Sequence, residues 1–346
     1  MHHRRQWLPI LGAILLTAAC TAAQSSVSPG TSGAIQSAEM APPSFAPEPL
    51  DATILTGYDD AAAPLDLREE SEVRDEGGIA VHDVSWLSPH GGRVSAWLVV
   101  PPGPGPFAGL VYLHGSETWR DDFLDEAVAM AHGGAVSLVV DAPFARTGDD
   151  RRYALLAFDE PQEERAMTAQ AIVDVRRAFD VLAAREDVDR GRLGFVGHSW
   201  GASLGVVLAA VDPRPSSLVL ITGRPSWTGF LETSDAAFVQ RARGRLSQAE
   251  WDRYIELMAP LDAMAEVGRV DAARLYLQYG TDDDVVPPAI ARELIEAADG
   301  ARADFYDAGH ALDDAATTDR VAWLVERLAL DEVPAAVLDE VGLPDR

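Results

Sequence analysis

The chain contains no lysine, no asparagine and a single cysteine. Without lysine there is no Schiff-base chemistry and no serine–lysine dyad; all 28 cationic side chains are arginine. A lone thiol, Cys20, excludes an internal disulfide and a zinc site built on cysteines. Positive charge is scarce as well. The 28 arginines face 55 acidic residues, for a formal net charge of -27. Such a chain lacks the basic patches that DNA, RNA or an anionic membrane surface would require. Its field favours solubility and repels anions at long range. What it does have is apolar material. At 346 residues and 47% hydrophobic, it can bury a large core and is too apolar for general disorder.

The first twenty residues give the cysteine a context. Arg4 and Arg5 precede an apolar run from Leu8 to Leu16, then Ala18, Ala19 and Cys20. A positive start, a short apolar stretch and small residues are the layout of a secretory signal peptide, too short for a comfortable membrane span. Leu16-Thr17-Ala18-Ala19-Cys20 resembles a bacterial lipoprotein cleavage site, with Cys20 the residue to be lipidated. Residues 21–50, rich in Ser, Ala and Pro, read as a flexible tether. The expectation is an exported protein held by its lipid on a bacterial membrane, facing periplasm or exterior; a secreted soluble protein is the alternative. Cys20→Ser should move it out of the membrane fraction. A wild type already free of membrane and lipid would overturn the idea.

From about residue 79 the chain alternates between strand and helix patterns. Ile79 to Leu87 and Arg93 to Val100 read as strands joined by a turn at Ser88-Pro89-His90-Gly91-Gly92. Ala108 to Leu113 and Ala135 to Val140 are continuous apolar runs, as expected of strands buried on both faces. Residues 162–185 place Ile172, Val175, Phe179 and Leu182 on one helical face, with Glu163 and Glu164 complementing the dipole at its start. Further strands are predicted at Arg192 to Val196, Ser217 to Thr222, Ala273 to Tyr279 and Ala303 to Tyr306, with helices between them. Such alternation predicts an α/β fold: a mainly parallel sheet of about eight strands, helices on both faces. Residues 51–346 are read as one domain. A small helical cap is inserted at about 223–270, between two of the strands.

Between a predicted strand and a predicted helix stands Gly197-His198-Ser199-Trp200-Gly201. This strand–turn–helix setting is what a nucleophile elbow requires. A serine hydroxyl is a weak nucleophile until a base takes its proton, and an acid must hold that base in the right tautomer. Only one histidine lies downstream of Ser199: His310, just past the last predicted strand. For the acid there are three adjacent carboxylates, Asp282, Asp283 and Asp284. The pattern Gly-x-x-Asp-x-x-Val-Pro picks Asp283, with Asp284 as runner-up. Backbone N–H groups of Ser116 and Trp200 are the expected oxyanion donors. Around them, Trp227, Phe230, Trp251 and Phe144 are candidate pocket walls. Arg146 could meet a substrate carboxylate, or could simply be a surface arginine.

These segments together resemble the α/β-hydrolase superfamily. The resemblance is closest to the branch of dienelactone hydrolase-like esterases and prolyl-oligopeptidase-type catalytic domains. It runs from about Val81 to Leu330. It rests on Leu113-His114-Gly115, on Val188 to Leu193 leading into the pentapeptide, on Gly280 to Asp283 with Val286-Pro287, and on Gly309-His310. It implies a triad of Ser199, Asp283 and His310 acting on a small-molecule ester, with no metal or cofactor. Dienelactone hydrolases use a cysteine nucleophile where this chain has Ser199, so that named activity is not implied. The room before Val81 is too short for the propeller of prolyl oligopeptidases. A carboxylesterase is the expected activity. The alternatives are a serine peptidase with the same triad, or a noncatalytic surface lipoprotein.

Overall fold

The computed structural model describes Leu55 and residues 64–342, other than Glu117 and Asp235. The expected leader, Cys20 and the tether to residue 50 lie outside the described residues.

Nine strands form one sheet in the order β1-β2-β3-β5-β4-β6-β7-β8-β9. Three antiparallel strands come first: β1 (Arg68–Glu76), β2 (Ile79–Leu87) and β3 (Arg93–Val100). β3 then pairs antiparallel with β5 (Ala135–Val140). From there the sheet is parallel through β4 (Phe107–Leu113), β6 (Val188–His198), β7 (Pro215–Ile221), β8 (Leu275–Gly280) and β9 (Arg302–Tyr306). The apolar runs are indeed the central strands, and every residue of β5 and β8 is buried. β1 is the one strand the residue pattern does not reveal. It is a charged edge strand, REESEVRDE, with no apolar alternation to read. Charge on an edge also discourages pairing with other chains.

The period-2 geometry of the strands sends alternate residues to opposite faces. Val111 and Leu113 of β4 join the core on one side, and Leu110 and Tyr112 the core on the other. The first face is covered by α2 (Pro161–Ala184), α3 (Trp200–Val211) and α8 (Pro288–Ala297). The second is covered by α1 (Leu124–His132) and α9 (Asp314–Leu328). Helices on both faces oblige the central strands to be apolar on both sides, as β5 and β8 are.

After β7 the chain leaves the sheet for a helical insertion: α4 (Trp227–Thr233), α5 (Ala237–Arg245), α6 (Gln248–Met258) and the short α7 (Ala263–Glu266). α6 starts at a capping box, in which the Ser247 side chain accepts from the Glu250 amide and the Glu250 carboxylate accepts from the Ser247 amide. The insertion packs its apolar side onto the α2 and α3 face.

Candidate active site

In an open parallel sheet, side chains placed beyond the carboxyl ends of the strands converge on one edge. Three of the predicted residues lie there. Ser199 follows β6 directly, Asp283 lies in the loop after β8, and His310 in the loop after β9. Ser199 is held at φ 51°, ψ -112°, a conformation that costs a non-glycine residue on the order of 1–3 kcal/mol. The flanking glycines make the turn sterically possible. A Cβ on Gly201 would collide with the carbonyls of Leu113 and His114, and one on Gly197 would lie 2.7 Å from the Gly201 carbonyl oxygen. The amide of Ser199 donates to the Ile221 carbonyl at 2.8 Å, which ties the turn to β7.

The three side chains are hydrogen-bonded in a line. Ser199 Oγ lies 2.9 Å from His310 Nε2, and His310 Nδ1 lies 2.8 Å from Asp283 Oδ2. Asp283 is 3% exposed, whereas Asp282 and Asp284 are both exposed. Burial alone would raise the Asp283 carboxyl. Hydrogen bonds from His310 and from the Val286 and Val285 amides outweigh it and hold the carboxyl below its usual range. Those two amides donate to Oδ1, each at 2.8 Å, leaving Oδ2 for the imidazole. The runner-up Asp284 is excluded from the imidazole by its exposure.

Two further histidines frame this line. His198 is fully buried, and burial with the neighbouring His310 pushes its ring down to about 3. Its Nε2 lies 3.2 Å from the His310 carbonyl, to which the Thr222 hydroxyl also donates at 3.1 Å. His114 is buried too, and its ring is pushed down to about 4. Its Nδ1 donates to the Gly115 carbonyl at 2.7 Å and its Nε2 accepts from the Ala142 amide at 3.0 Å. Both rings stay neutral at ordinary pH and brace loops. His310 alone touches the Ser199 hydroxyl.

Ser116 and Trp200 line the same cavity as Ser199, and among the described residues neither backbone N–H has a hydrogen-bond acceptor. Trp200 is the first residue of α3, so its amide is one of the helix's free N-terminal donors. Among the described residues no group of three or more His, Cys, Asp or Glu is placed to hold a metal ion.

The cavity encloses about 230 Å³ under the cap. Of the four predicted wall residues, only Trp227 lines it. Phe230 sits behind Trp227, stacked at 5.4 Å between ring centroids. Trp251 is 7% exposed and packs on Tyr254 and on Phe158, where the cap meets the segment before α2. Phe144 lies edge-on to His114 and Trp200 and borders a separate groove of about 860 Å³ on the other side of Ser116. Arg146 meets no pocket anion: it is buried and ion-paired with Asp174 at 2.5 Å.

Glu164 is a wall residue that the helical pattern misassigned. It is 3% exposed and lines the cavity, while Glu163 beside it is exposed. One Glu164 oxygen accepts from the Tyr254 hydroxyl and the Ala157 amide, both at 2.9 Å; Trp227 Nε1 donates to that hydroxyl at 3.0 Å. Burial pushes the carboxyl up to about 7. Between pH 4.5 and 7 the folded chain therefore keeps a proton that the unfolded chain has lost, so stability falls as pH rises through this window. Glu164→Gln, whose amide oxygen can accept both bonds, should stabilise the protein by about 1–3 kcal/mol at pH 8. The gain should shrink towards pH 5. Denaturant titrations showing the same difference at both pH values would contradict this.

No family model matches the chain. Over 125 residues it is 30% identical to an uncharacterized protein of Mycobacterium tuberculosis, a match covering 36% of this chain and 39% of that protein. The matched stretch is thus well under half of that relative. Among solved structures, the fold is similar to an acetyl xylan esterase from Paenibacillus sp. R4. The TM-score is 0.65 at 21% identity, over 80% of this chain and 95% of that one. It is also similar to acetyl xylan esterase 1 from Thermoanaerobacterium sp. JW/SL YS485, with a TM-score of 0.60 at 17% identity over 80% and 94%. By its sheet order, its helices on both faces and these likenesses, the chain is a protein of the α/β-hydrolase fold.

Proposed function

We propose that the chain is a serine hydrolase that cleaves carboxylic esters through an acyl-enzyme on Ser199. The observation that carries this reading is the line from Asp283 through His310 to Ser199, beside the Ser116 and Trp200 amides, which have no acceptor among the described residues. His310 Nε2 takes the hydroxyl proton as Ser199 Oγ bonds to the ester carbonyl carbon. The Ser116 and Trp200 amides receive the negative charge that develops on the carbonyl oxygen. Asp283 keeps the imidazole in the tautomer that accepts the proton and stabilises the imidazolium. His310 then passes the proton to the departing alkoxide. Water repeats the sequence on the acyl-enzyme and releases a carboxylic acid. The protein's own groups supply every step of this mechanism.

The two sides of Ser116 suit the two parts of an ester. The acyl group must stay while the alcohol leaves, so the cavity under the cap, which Ser199 lines, fits the acyl group and the groove beyond Ser116 the alcohol. The neighbours named as acetyl xylan esterases support a short acyl group. The leader and Cys20 extend the proposal to an exported, lipid-anchored enzyme. Turnover of short p-nitrophenyl esters tests the reading: hydrolysis is expected, with matched anilides slower. A folded protein inert towards every ester would favour a binding role instead.

A further inference from the structure

The cavity beside Ser199 contains a cation that the mechanism above does not use. Arg224 follows β7 by three residues, and its amide donates to Ser203 Oγ at 2.8 Å. That hydroxyl in turn donates to the Ser199 carbonyl at 3.1 Å, so the arginine backbone is fixed to the elbow. Its guanidinium lies over the Phe230 ring, 3.9 Å from the centroid, and Nη2 donates to the Val285 carbonyl. Among the described residues Nε and Nη1 have no acceptor, and no carboxylate lies within ion-pair distance of the group. The side chain is half-buried and lines the cavity.

The fully buried arginines have acids against them: Arg146 with Asp174, Arg177 with Asp180, Arg320 with Glu126. The half-buried Arg243 and Arg274 rest on carbonyls as Arg224 does, but of these three only Arg224 lines the cavity beside Ser199. Acids outnumber bases nearly two to one, so partners were available. A half-buried cation without a counter-charge is costly, and the cost is relieved when a ligand supplies the anion. The cavity's own acids do not supply it. Asp262 is satisfied by Ser226 and by the Trp227 and Thr228 amides, and Glu164 by Tyr254 and Ala157. Only Asp283 acts on Arg224 electrostatically, and both its oxygens are already bonded. Burial lowers the guanidinium to about 10, so it stays charged at neutral pH.

Resting on the serine hydrolase reading, we propose that Arg224 selects esters whose acyl group ends in a carboxylate. These are half-esters of short dicarboxylic acids, with the free carboxylate on the open edge of the guanidinium. The guanidinium over Phe230 has a second Nη2 N–H beside those of Nε and Nη1, so a carboxylate can take the Nη2 N–H together with a neighbouring one. The cavity of about 230 Å³ has room for a short acyl chain reaching from Ser199 to Arg224, both of which line it. The acidic surface gives such a substrate no long-range attraction, so recognition is local, at this one side chain.

The test compares two esters with five-carbon acyl groups, p-nitrophenyl hydrogen glutarate and p-nitrophenyl valerate, after subtraction of spontaneous hydrolysis. Wild type should favour the glutarate ester in kcat/KM, and Arg224→Gln should lower the glutarate-to-valerate ratio by roughly 10- to 100-fold. Arg224→Lys, which keeps charge but not the fork, should fall between them. The ratio is internal to each variant, so a general loss through the Val285 contact cancels. An unchanged ratio in Arg224→Gln, or a wild type preferring valerate, overturns the proposal while leaving the hydrolase reading intact. If folded wild type hydrolyses neither ester, the hydrolase reading fails. Calorimetric titration with glutarate then decides the rest: binding lost in Arg224→Gln supports the anion site, and no binding removes it.

Discussion

Replacing His310 by Ala lowers kcat for a short ester by roughly 10³-fold or more, with little change in melting temperature. The size follows from the geometry. His310 Nε2 is 2.9 Å from Ser199 Oγ, and no other group able to take a proton touches that hydroxyl among the described residues. His198 and His114 cannot substitute, since burial makes both rings weak bases and both hold backbone elsewhere. The His310 side chain lies in a loop, and its own carbonyl remains held by His198 and Thr222 when the ring is removed. Ser199→Ala should lose as much. The double variant should lose no more than either single one, because the two side chains act as a unit. Steady-state kinetics with circular dichroism melts would check this. Additive losses would mean that the two residues do not share one proton transfer.

Asp283→Asn should cost on the order of 10³- to 10⁴-fold in kcat, whereas Asp284→Asn and Asp282→Asn should change it less than about threefold. The contrast is what makes the test sharp, because the three residues are adjacent and chemically identical. Asp283 points inward, with Oδ1 on two amides and Oδ2 on His310 Nδ1. Asparagine would keep the shape, yet its N–H would favour the tautomer with the proton on Nε2, which could then not take the proton of Ser199. The electrostatic sign adds to this. The Asp283 carboxyl is held below its usual range, so it is ionised at neutral pH and can stabilise the imidazolium. A large loss in Asp284→Asn with activity kept in Asp283→Asn would reverse the assignment.

The features legible in the sequence were those with a periodic or positional signature. β4 and β5 announce themselves as apolar runs because both faces of the sheet are covered. The elbow is legible because only glycine fits at 197 and 201, and His310 because no other histidine follows Ser199. β1 is not legible, since an edge strand of mostly charged residues has no apolar alternation to report. The walls of the cavity were illegible for a different reason. Trp227, Phe230 and Trp251 are equally aromatic, and only the packing of the cap decides that Trp227 faces Ser199 while Trp251 faces Phe158. Glu164 looked like a charge on a helix's first turn, and Arg146 like a group on the surface. Both are buried, one holding a tyrosine and the other an aspartate. Arg224 gives no sign at all, because having no carboxylate at ion-pair distance among the described residues is a property of three dimensions.

The most direct measurement is covalent labelling of the purified domain with a fluorophosphonate probe, beside Ser199→Ala and followed by peptide mapping. The probe reacts with a serine only where a base removes its proton and donors meet the new oxyanion, so it reads the whole line at once. Stoichiometric modification of Ser199, absent from Ser199→Ala, is the expected result. A folded wild type left unlabelled, or equal labelling of Ser199→Ala, would contradict the account.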